Sequence, residues 1–267
     1  MVPDAGQASS SGQEPLPIDP LLERQYSELE ARIRAIRPKE DLAPLRNAFE
    51  FAVRRHGAQK RSSGEPYMLH PLEVTRILTG MSMDMVALQT GLLHDVVEDT
   101  GTPIAEIRKR FGDEVARCVD GVTKLGKLDF YTAEARQAEN YRKMFLAMTD
   151  DIRVIIVKLT DRLHNMRTLA SLPRDKQERI ARETLEIYAP ISHRLGMGKI
   201  RGELEDLAFA FLEPEASADL LREVESRRHE IEGFLAEIQQ KVEEILRAEG
   251  IPARVSGRMK RVYSIFQ

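Results

Sequence analysis

The sequence predicts a mainly all-α fold, because apolar side chains recur at helical spacing along most of its 267 residues. The first periodic segment shows the pattern, with apolar residues three or four positions apart at Leu22, Tyr26, Leu29 and Ile33. Before Gly250, no segment has the alternation of apolar and polar residues that is typical of a strand. Hydrophobic residues make up 42% and charged residues 31%, which is typical of a globular protein with a hydrophobic core.

The first half of the chain divides into helices at residues that mark helix ends. Asp84 and Asp113 are placed to cap helices, since an aspartate oxygen can accept a hydrogen bond from a free backbone N–H. Pro71 fits a first helical turn, where proline costs no hydrogen bond, and Gly112 ends a helix. The helices predicted on this basis cover about residues 21–36, 42–56, 71–78, 85–98, 104–111 and 114–125.

The second half continues with helices, but both ends of the chain differ in composition. Further helices are predicted near residues 134–148, 150–170, 174–192, 191–212 (interrupted at its glycines) and 217–248, after a loop at 126–133. Residues 1–20 are rich in Pro, Gly, Ser and Gln, which predicts a disordered lead. Residues 251–267 have a strand-like start, a turn and a basic cluster, so we expect them to begin a different structural unit.

Composition excludes several classes of protein. The net charge of −3 provides no overall basic field for DNA or RNA, so any polyanion site must be local. The single cysteine, Cys118, excludes an internal disulfide and favours a cytoplasmic protein. No apolar run approaches the roughly 18 residues of a membrane span, and the N-terminus has no signal-peptide pattern. We therefore expect no membrane partner.

The stretch GLLHDVVEDT concentrates charge at the end of an apolar helix. His94 and Asp95 are neighbours, about 100° apart on a helix, so both can reach one point only near a helix end or a distortion; Thr100 and the following glycine supply an end. Glu98 lies four residues after His94 on the same helical face, and Asp99 lies four residues after Asp95 on the next face. Three carboxylates this close would repel one another unless a cation lies among them, which favours a metal site.

Further metal ligands must come from other helices. His70 precedes Pro71 at the start of the third helix, and Asp161 lies in VKLTDRLHNMRTL, on a polar face with His164, Asn165 and Thr168. Two histidines and two aspartates suit Mn²⁺, Fe²⁺ or Zn²⁺ better than Mg²⁺ or Ca²⁺. Such a metal would activate water and polarise a phosphoryl oxygen.

Acidic and basic side chains near these ligands predict the remaining roles. Glu98 and Asp99 could orient the water or accept its proton. The cations available for an anionic group are Lys60, Arg61, Arg162 and Arg167.

Each of these motifs also has a structural interpretation. His94 and Asp95 could form a hydrogen-bonded pair at a helix end, and Asp161 could pair with Arg162 or Lys158 on a solvated face. The Lys60-Arg61 segment could be a solvated loop. His164 is interpreted as a core or supporting histidine, not as a metal ligand.

Together the motifs resemble a known family. A histidine, a distant His-Asp pair and a distant aspartate, all on helices, form the pattern of HD phosphohydrolases. QKRSSGEPYMLHP, GLLHDVVEDT, VKLTDRLHNMRTL and YAPISHRLGMGKIRGELEDLAF resemble the hydrolase half of the long RelA/SpoT-homologue enzymes, which make and degrade the alarmone (p)ppGpp in the stringent response. The resemblance covers about residues 21–267 and implies an HD-domain helical bundle over 21–200, linking helices over 201–250 and the truncated start of an α/β synthetase domain over 251–267.

The resemblance also implies roles for individual residues. The family's Mn²⁺ ligands fall on His70, His94, Asp95 and Asp161, and its hydrolytic Glu-Asp pair falls on Glu98 and Asp99. Its guanosine-binding residues correspond to Arg61, Ser62, Ser63, Gly64, Glu65, Tyr67, Asn165 and Thr168. Many members carry Lys or Arg where this chain has Ser62. The implied reaction removes the 3′-pyrophosphate of (p)ppGpp.

The last residues, SGRMKRVYSIFQ, resemble the opening of the family's synthetase domain. The residues that match its ATP-binding cations are Arg258, Lys260 and Arg261. Because the synthetase's acidic residues would lie further on, no synthesis is expected from this chain. The implied partners are a guanosine nucleotide and, in a full-length protein, the synthetase domain, C-terminal regulatory domains and the ribosome.

Two other functions stay open at this point. The domain could sense alarmone without turnover, or it could hydrolyse a different nucleotide.

Overall fold

The computed structural model describes residues 18–126, 150–257 and 259–267. Most of the predicted disordered lead, nearly all of the predicted loop at 126–133, the predicted helix at 134–148 and the predicted ATP-site residue Arg258 lie outside the described residues. Within them, the regular secondary structure is helical, and the strand-like pairing is limited to one isolated bridge between Lys60 and Pro66. The prediction of a mainly all-α fold is confirmed.

Six helices form the first half of the described chain. They are α1 (Pro20–Ile36), α2 (Ala43–His56), α3 (Leu69–Gly80), α4 (Met85–Leu93), α5 (Val96–Asp99) and α6 (Ile104–Gly126). Asp84 caps α4 as predicted, with its Oδ1 accepting a hydrogen bond of 2.9 Å from the backbone N–H of Ala87. The predicted break at Gly112 is also present, as a kink inside α6 where this glycine has a φ of 88°.

The second half begins with α7 (Ile152–Arg167) and a 3₁₀ turn, Leu169–Ser171. One helical path then runs through α8 (Arg174–Glu183), the π-helical turn Thr184–Tyr188 and α9 (Ala189–Arg194). The remaining helices are α10 (Gly198–Leu212), α11 (Pro214–Ser226), α12 (Arg228–Ala248) and α13 (Val262–Phe266).

Three predictions about element boundaries are wrong. The helix predicted over 85–98 is split, because α4 ends at Leu93 and α5 begins at Val96. The long helix predicted over 217–248 is also two helices, separated at Arg227. The strand-like start predicted after Gly250 has no strand among its described residues, and the regular element there is α13. A strand needs a partner to satisfy its backbone groups, and the described residues provide none.

The core lies among α2, α3, α4, α6 and α7, with α1 packed against α3 and with α10 against α7. Helices α3 and α4 approach each other closely at Gly91, since a β-carbon there would lie 2.8 Å from both Thr75 Oγ1 and Leu78 Cδ1. This close approach brings the start of α3 next to the end of α4, where the predicted ligands lie. No helix in the described part of the chain is both long enough and apolar enough to cross a membrane.

Candidate metal centre

The break between α4 and α5 explains how two adjacent residues can face one point. His94 follows the last residue of α4, and Asp95 precedes the first residue of α5. Between the two helices the side chains converge, and His94 Nε2 lies 3.1 Å from Asp95 Oδ2. The expected helix end at Thr100 exists, but the pair converges at a distortion six residues earlier, at His94 itself.

Two further residues reach the same point from separate helices. His70 lies in the first turn of α3, and its Nε2 is 3.2 Å from Asp161 Oδ1 and 3.6 Å from Asp95 Oδ2. Asp161 lies within α7, with Oδ1 also 3.9 Å from His94 Nε2. Ligand atoms of His70, His94 and Asp161 all lie within 4.8 Å of one another, and these three residues are buried. Asp95 is partly buried at the rim.

The hydrogen bonds of His94 leave one ring nitrogen without a partner. Its Nδ1 must donate to the carbonyl oxygen of Gly91 at 2.9 Å, because a carbonyl can only accept. The nitrogen left over is Nε2, which is buried and has no hydrogen-bond partner among the described residues, and which would carry the lone pair whenever the ring is neutral. A buried nitrogen lone pair beside two carboxylates fits a bound cation, and the nitrogen and oxygen donors fit a transition metal.

The charge states in the cluster agree with a cation site. Burial opposes ionisation of Asp95, but the charge of His94 outweighs it and holds the pKa of Asp95 below its usual range. Burial likewise opposes ionisation of Asp161, but Lys158 outweighs it and lowers its pKa, since Lys158 Nζ donates to Asp161 Oδ2 at 2.8 Å. Both carboxylates are therefore ionised at neutral pH, and they raise the pKa of His94 to about 9 against the opposing effect of burial. Without a metal, the two carboxylates thus hold a proton on His94, and a bound cation would take the place of that proton.

Lys158 departs from its sequence interpretation. The sequence interpretation places Lys158 with Asp161 on a solvated face, but its ammonium group lies largely buried beside that carboxylate. Its position three residues before Asp161 places both on one helical face, and only the packing around α7 buries them.

Side chains outside the four predicted ligands hold them in place. Asn165 Nδ2 donates to Asp161 Oδ1 at 2.6 Å. His164 Nδ1 lies 2.7 Å from His70 Nδ1, and burial, together with nearby positive groups, lowers the pKa of His164 to about 3. His164 is thus a neutral, supporting histidine, in agreement with its sequence interpretation.

The two predicted hydrolytic carboxylates lie on α5, at the exposed rim of the cluster. Glu98 and Asp99 are both exposed to solvent. Asp99 is tied to the cluster by Tyr67, whose hydroxyl lies 2.6 Å from Asp99 Oδ2 and 2.7 Å from Asp95 Oδ2. The Tyr67 ring stacks on His56 at a centroid distance of 4.7 Å, which holds the hydroxyl in this position.

The predicted guanosine-binding loop is a tight hairpin between α2 and α3. Its ends meet where the N–H of Tyr67 donates to the carbonyl oxygen of Gln59 at 2.9 Å. Gly64 at its tip has a φ of 88°, a conformation that favours glycine. Arg61 points from this hairpin to α7, where it contacts His164 and Asn165. Ser62 and Ser63 are exposed, Glu65 is half-buried, and Thr168 caps the end of α7.

The other predicted cations have different surroundings. Arg162 stacks over the Tyr188 ring at 4.1 Å and pairs with Glu183 at 2.9 Å. Arg167 pairs with Glu203 at 2.6 Å. Both guanidinium groups thus already have carboxylate partners. Lys60 and Lys260 are exposed, and Arg261 pairs with Asp206 at 3.3 Å.

Comparison with known proteins gives consistent matches. The family model described as "HD domain" matches residues 48–198. A "GTP pyrophosphokinase" of Streptomyces coelicolor is 51% identical over 245 residues, which cover 90% of this chain and 29% of the relative. The "Bifunctional (p)ppGpp synthase/hydrolase SpoT" of Escherichia coli is 46% identical over 241 residues, covering 90% of this chain and 34% of that protein.

The chain therefore spans about a third of the length of the curated relatives it matches. A solved structure described as "A metazoan ortholog of SpoT hydrolyzes ppGpp and plays a role in starvation responses" aligns with a TM-score of 0.49 at 24% identity, covering 63% of this chain and 96% of that one.

Proposed function

The chain belongs to the HD-domain family, whose model matches more than half of it, and we propose that it hydrolyses the alarmone (p)ppGpp to GDP or GTP and pyrophosphate. The observation that carries the proposal is the buried, unpartnered Nε2 of His94 beside two ionised carboxylates. Relatives named as GTP pyrophosphokinases and as a (p)ppGpp synthase/hydrolase support the choice of substrate.

The metal in this proposal is Mn²⁺, and Fe²⁺ and Zn²⁺ also suit the donor set. Its ligand atoms would be Nε2 of His70 and His94, Oδ2 of Asp95 and Oδ1 of Asp161. When bound, a divalent metal lowers the pKa of water and polarises a phosphoryl oxygen. The protein's contribution is to hold two imidazoles and two carboxylates at one largely buried point.

Proton transfer is assigned to the carboxylates of α5. Asp99, with Glu98 beside it, accepts the proton of the attacking water, since both lie at the open rim of the cluster. Tyr67 positions Asp99 relative to Asp95 through its two short contacts. The water oxygen bonds to the phosphorus attached to the ribose 3′ oxygen, and the bond between that phosphorus and the 3′ oxygen breaks. The 3′ oxygen takes up a proton and becomes the 3′ hydroxyl of GDP or GTP, and the phosphoryl group with the water oxygen leaves as pyrophosphate.

Substrate binding is assigned to the hairpin between α2 and α3 and to the end of α7. The nucleoside would contact Arg61, Ser62, Ser63, Gly64, Glu65, Tyr67, Asn165 and Thr168. Ser62 Oγ lies 3.2 Å from Ser171 Oγ, so the hairpin and the turn after α7 form one edge. Lys60 is the exposed cation of this edge and is assigned to the phosphates.

The domain layout is part of the same proposal. Residues 21–200 would form the hydrolase domain, 201–250 linking helices, and 251–267 the start of a synthetase domain in which Lys260 and Arg261 contact ATP.

A pyrophosphate-release assay tests this function directly. The chain is incubated with ppGpp, pppGpp, GTP and ATP, with Mn²⁺ and after exhaustive chelation. Asp95→Ala should abolish release, whereas Asp219→Ala, which removes an exposed carboxylate on α11, should not. Full activity in Asp95→Ala or after chelation would contradict the proposal. Binding of ppGpp without turnover would indicate an alarmone sensor, and turnover of ATP alone would indicate another substrate.

A further inference from the structure

We propose that Arg61 and His164 fix the ring tautomer of His70, so that His70 presents a lone pair on Nε2 to the metal. Arg61 would then be a positioning residue for the metal ligands as well as part of the predicted nucleotide loop. The proposal rests on the proposed function only in that a divalent metal binds at His70 Nε2.

The first step concerns the contact between Arg61 and His164. A guanidinium nitrogen can only donate a hydrogen bond. Arg61 Nη1 lies 3.2 Å from His164 Nδ1, so this ring nitrogen must carry a lone pair. The hydrogen of the His164 ring is therefore on Nε2.

The second step transfers this constraint to His70. His70 Nδ1 lies 2.7 Å from the same nitrogen of His164. Because His164 Nδ1 accepts, His70 Nδ1 must donate, and the neutral His70 ring then has its lone pair on Nε2. That nitrogen faces Asp161 Oδ1 at 3.2 Å and Asp95 Oδ2 at 3.6 Å. The opposite arrangement would point a hydrogen of His164 at the Arg61 guanidinium.

A second branch of the same guanidinium orients Asp161. Arg61 Nη2 donates to Asn165 Oδ1 at 2.8 Å, which turns the amide nitrogen of Asn165 towards the carboxylate. Asn165 Nδ2 then donates to Asp161 Oδ1 at 2.6 Å. One arginine of the hairpin therefore sets the hydrogen-bond direction at two predicted ligands, each through one intermediate side chain.

Metal affinity provides a readout that does not depend on hydrolysis. Mn²⁺ is titrated into the full chain, and free Mn²⁺ is measured by electron paramagnetic resonance. His164→Leu removes the acceptor and should weaken binding about 10- to 100-fold, the usual effect of losing such a supporting partner. His164→Asn should restore most of the affinity, because Asn Oδ1 occupies the same covalent position as His Nδ1. His193→Leu, the same change at an exposed histidine of α9, is the control and should bind as the wild type.

The tautomer itself is measured on the metal-free wild-type chain. Long-range ¹H–¹⁵N correlation spectra of the labelled histidine rings should show a hydrogen on Nδ1 of His70 and none on Nδ1 of His164. A His70 ring without a hydrogen on Nδ1 would overturn the proposal, and this measurement needs no variant to fold. Wild-type Mn²⁺ affinity in a folded His164→Leu variant would overturn it as well.

Arg61 is tested against its neighbour in the hairpin. Arg61→Met should weaken Mn²⁺ binding in the absence of nucleotide, while Lys60→Met removes a cation of the same hairpin and should leave Mn²⁺ affinity unchanged. Equal Mn²⁺ affinities in both variants would contradict the role of Arg61. If the wild type binds Mn²⁺ through the Nδ1–H form of His70 but does not hydrolyse (p)ppGpp, the proposed function fails and this inference stands.

Discussion

Gly91→Ala should disturb both the stability of the chain and the geometry of the metal centre. Gly91 lies on α4 against α3, and a β-carbon at this position would lie 2.8 Å from Thr75 Oγ1 and from Leu78 Cδ1. The hydroxyl of Thr75 cannot move freely because it donates to the carbonyl oxygen of Pro71 at 2.8 Å, and Leu78 is fully buried. The contact must open to at least 3.4 Å, so α3 and α4 must separate by several tenths of an ångström.

The magnitude follows from two opposing effects. Overpacking a core lowers the free energy of unfolding by about 1–3 kcal/mol. Replacing a helical glycine by alanine raises it by about 1 kcal/mol. The difference is a net loss of up to about 2 kcal/mol, with about 1 kcal/mol in the middle of the range. A loss of about 1 kcal/mol lowers the Tm of a chain of this size by roughly 2–4 °C. Metal coordination tolerates only about ±0.2 Å. Metal binding must therefore bring the two helices together again. At a cost of about 1 kcal/mol, Mn²⁺ affinity should fall roughly 5-fold, and at about 2 kcal/mol it should fall roughly 30-fold.

Two measurements on matched variants test this reasoning. Urea denaturation gives the free energy of unfolding, and Mn²⁺ titration gives the affinity. Gly233→Ala is the control, since this exposed position of α12 has no atom within 4 Å of the added carbon. It should gain about 0.5–1 kcal/mol. A gain in stability as large as that of Gly233→Ala, together with wild-type Mn²⁺ affinity, would refute the argument from helix spacing.

Three further predictions concern single groups of the site. Asp161→Ala leaves the buried ammonium of Lys158 without its carboxylate, so urea denaturation should show a free energy of unfolding lower by about 3–5 kcal/mol. The double variant Asp161→Ala/Lys158→Met should recover part of this loss, and no recovery would contradict the buried pair. Asp99→Asn should lower kcat about 10²- to 10⁴-fold without weakening Mn²⁺ binding, and lost binding would make Asp99 a ligand. Burial holds the pKa of His164 near 3, below the usual 6.5, so the unfolded metal-free chain binds more protons between these values. The free energy of unfolding should therefore fall as the pH drops from 6.5 towards 3. Urea denaturation across this range gives its slope against pH, and His164→Asn should reduce that slope by the equivalent of about one proton. Equal slopes in the variant and the wild type would contradict the lowered pKa.

Local patterns predicted the helices well where one face is apolar and the ends are marked. The stripe of Leu22, Tyr26, Leu29 and Ile33 is the buried face of α1, and Asp84 caps α4. The same patterns missed the breaks after Leu93 and at Arg227, because neither position has the glycine or proline that usually marks a helix end. Helical periodicity continues across both breaks, so the sequence contains no local sign of them.

The composition of the candidate site could be read from the sequence, but its arrangement could not. The sequence by itself determined an all-α fold, two histidines and two aspartates as candidate ligands, and a polar face on the helix that carries Asp161. Only the tertiary structure decided that His94 and Asp95 converge at a helix break and that Lys158 is buried. It also decided that Arg61 reaches His164 and Asn165 on α7. The physical reason is that periodicity reports the neighbours of a residue along one helix. Burial and the direction of a hydrogen bond depend on which helices pack together, and those contacts join residues about a hundred positions apart.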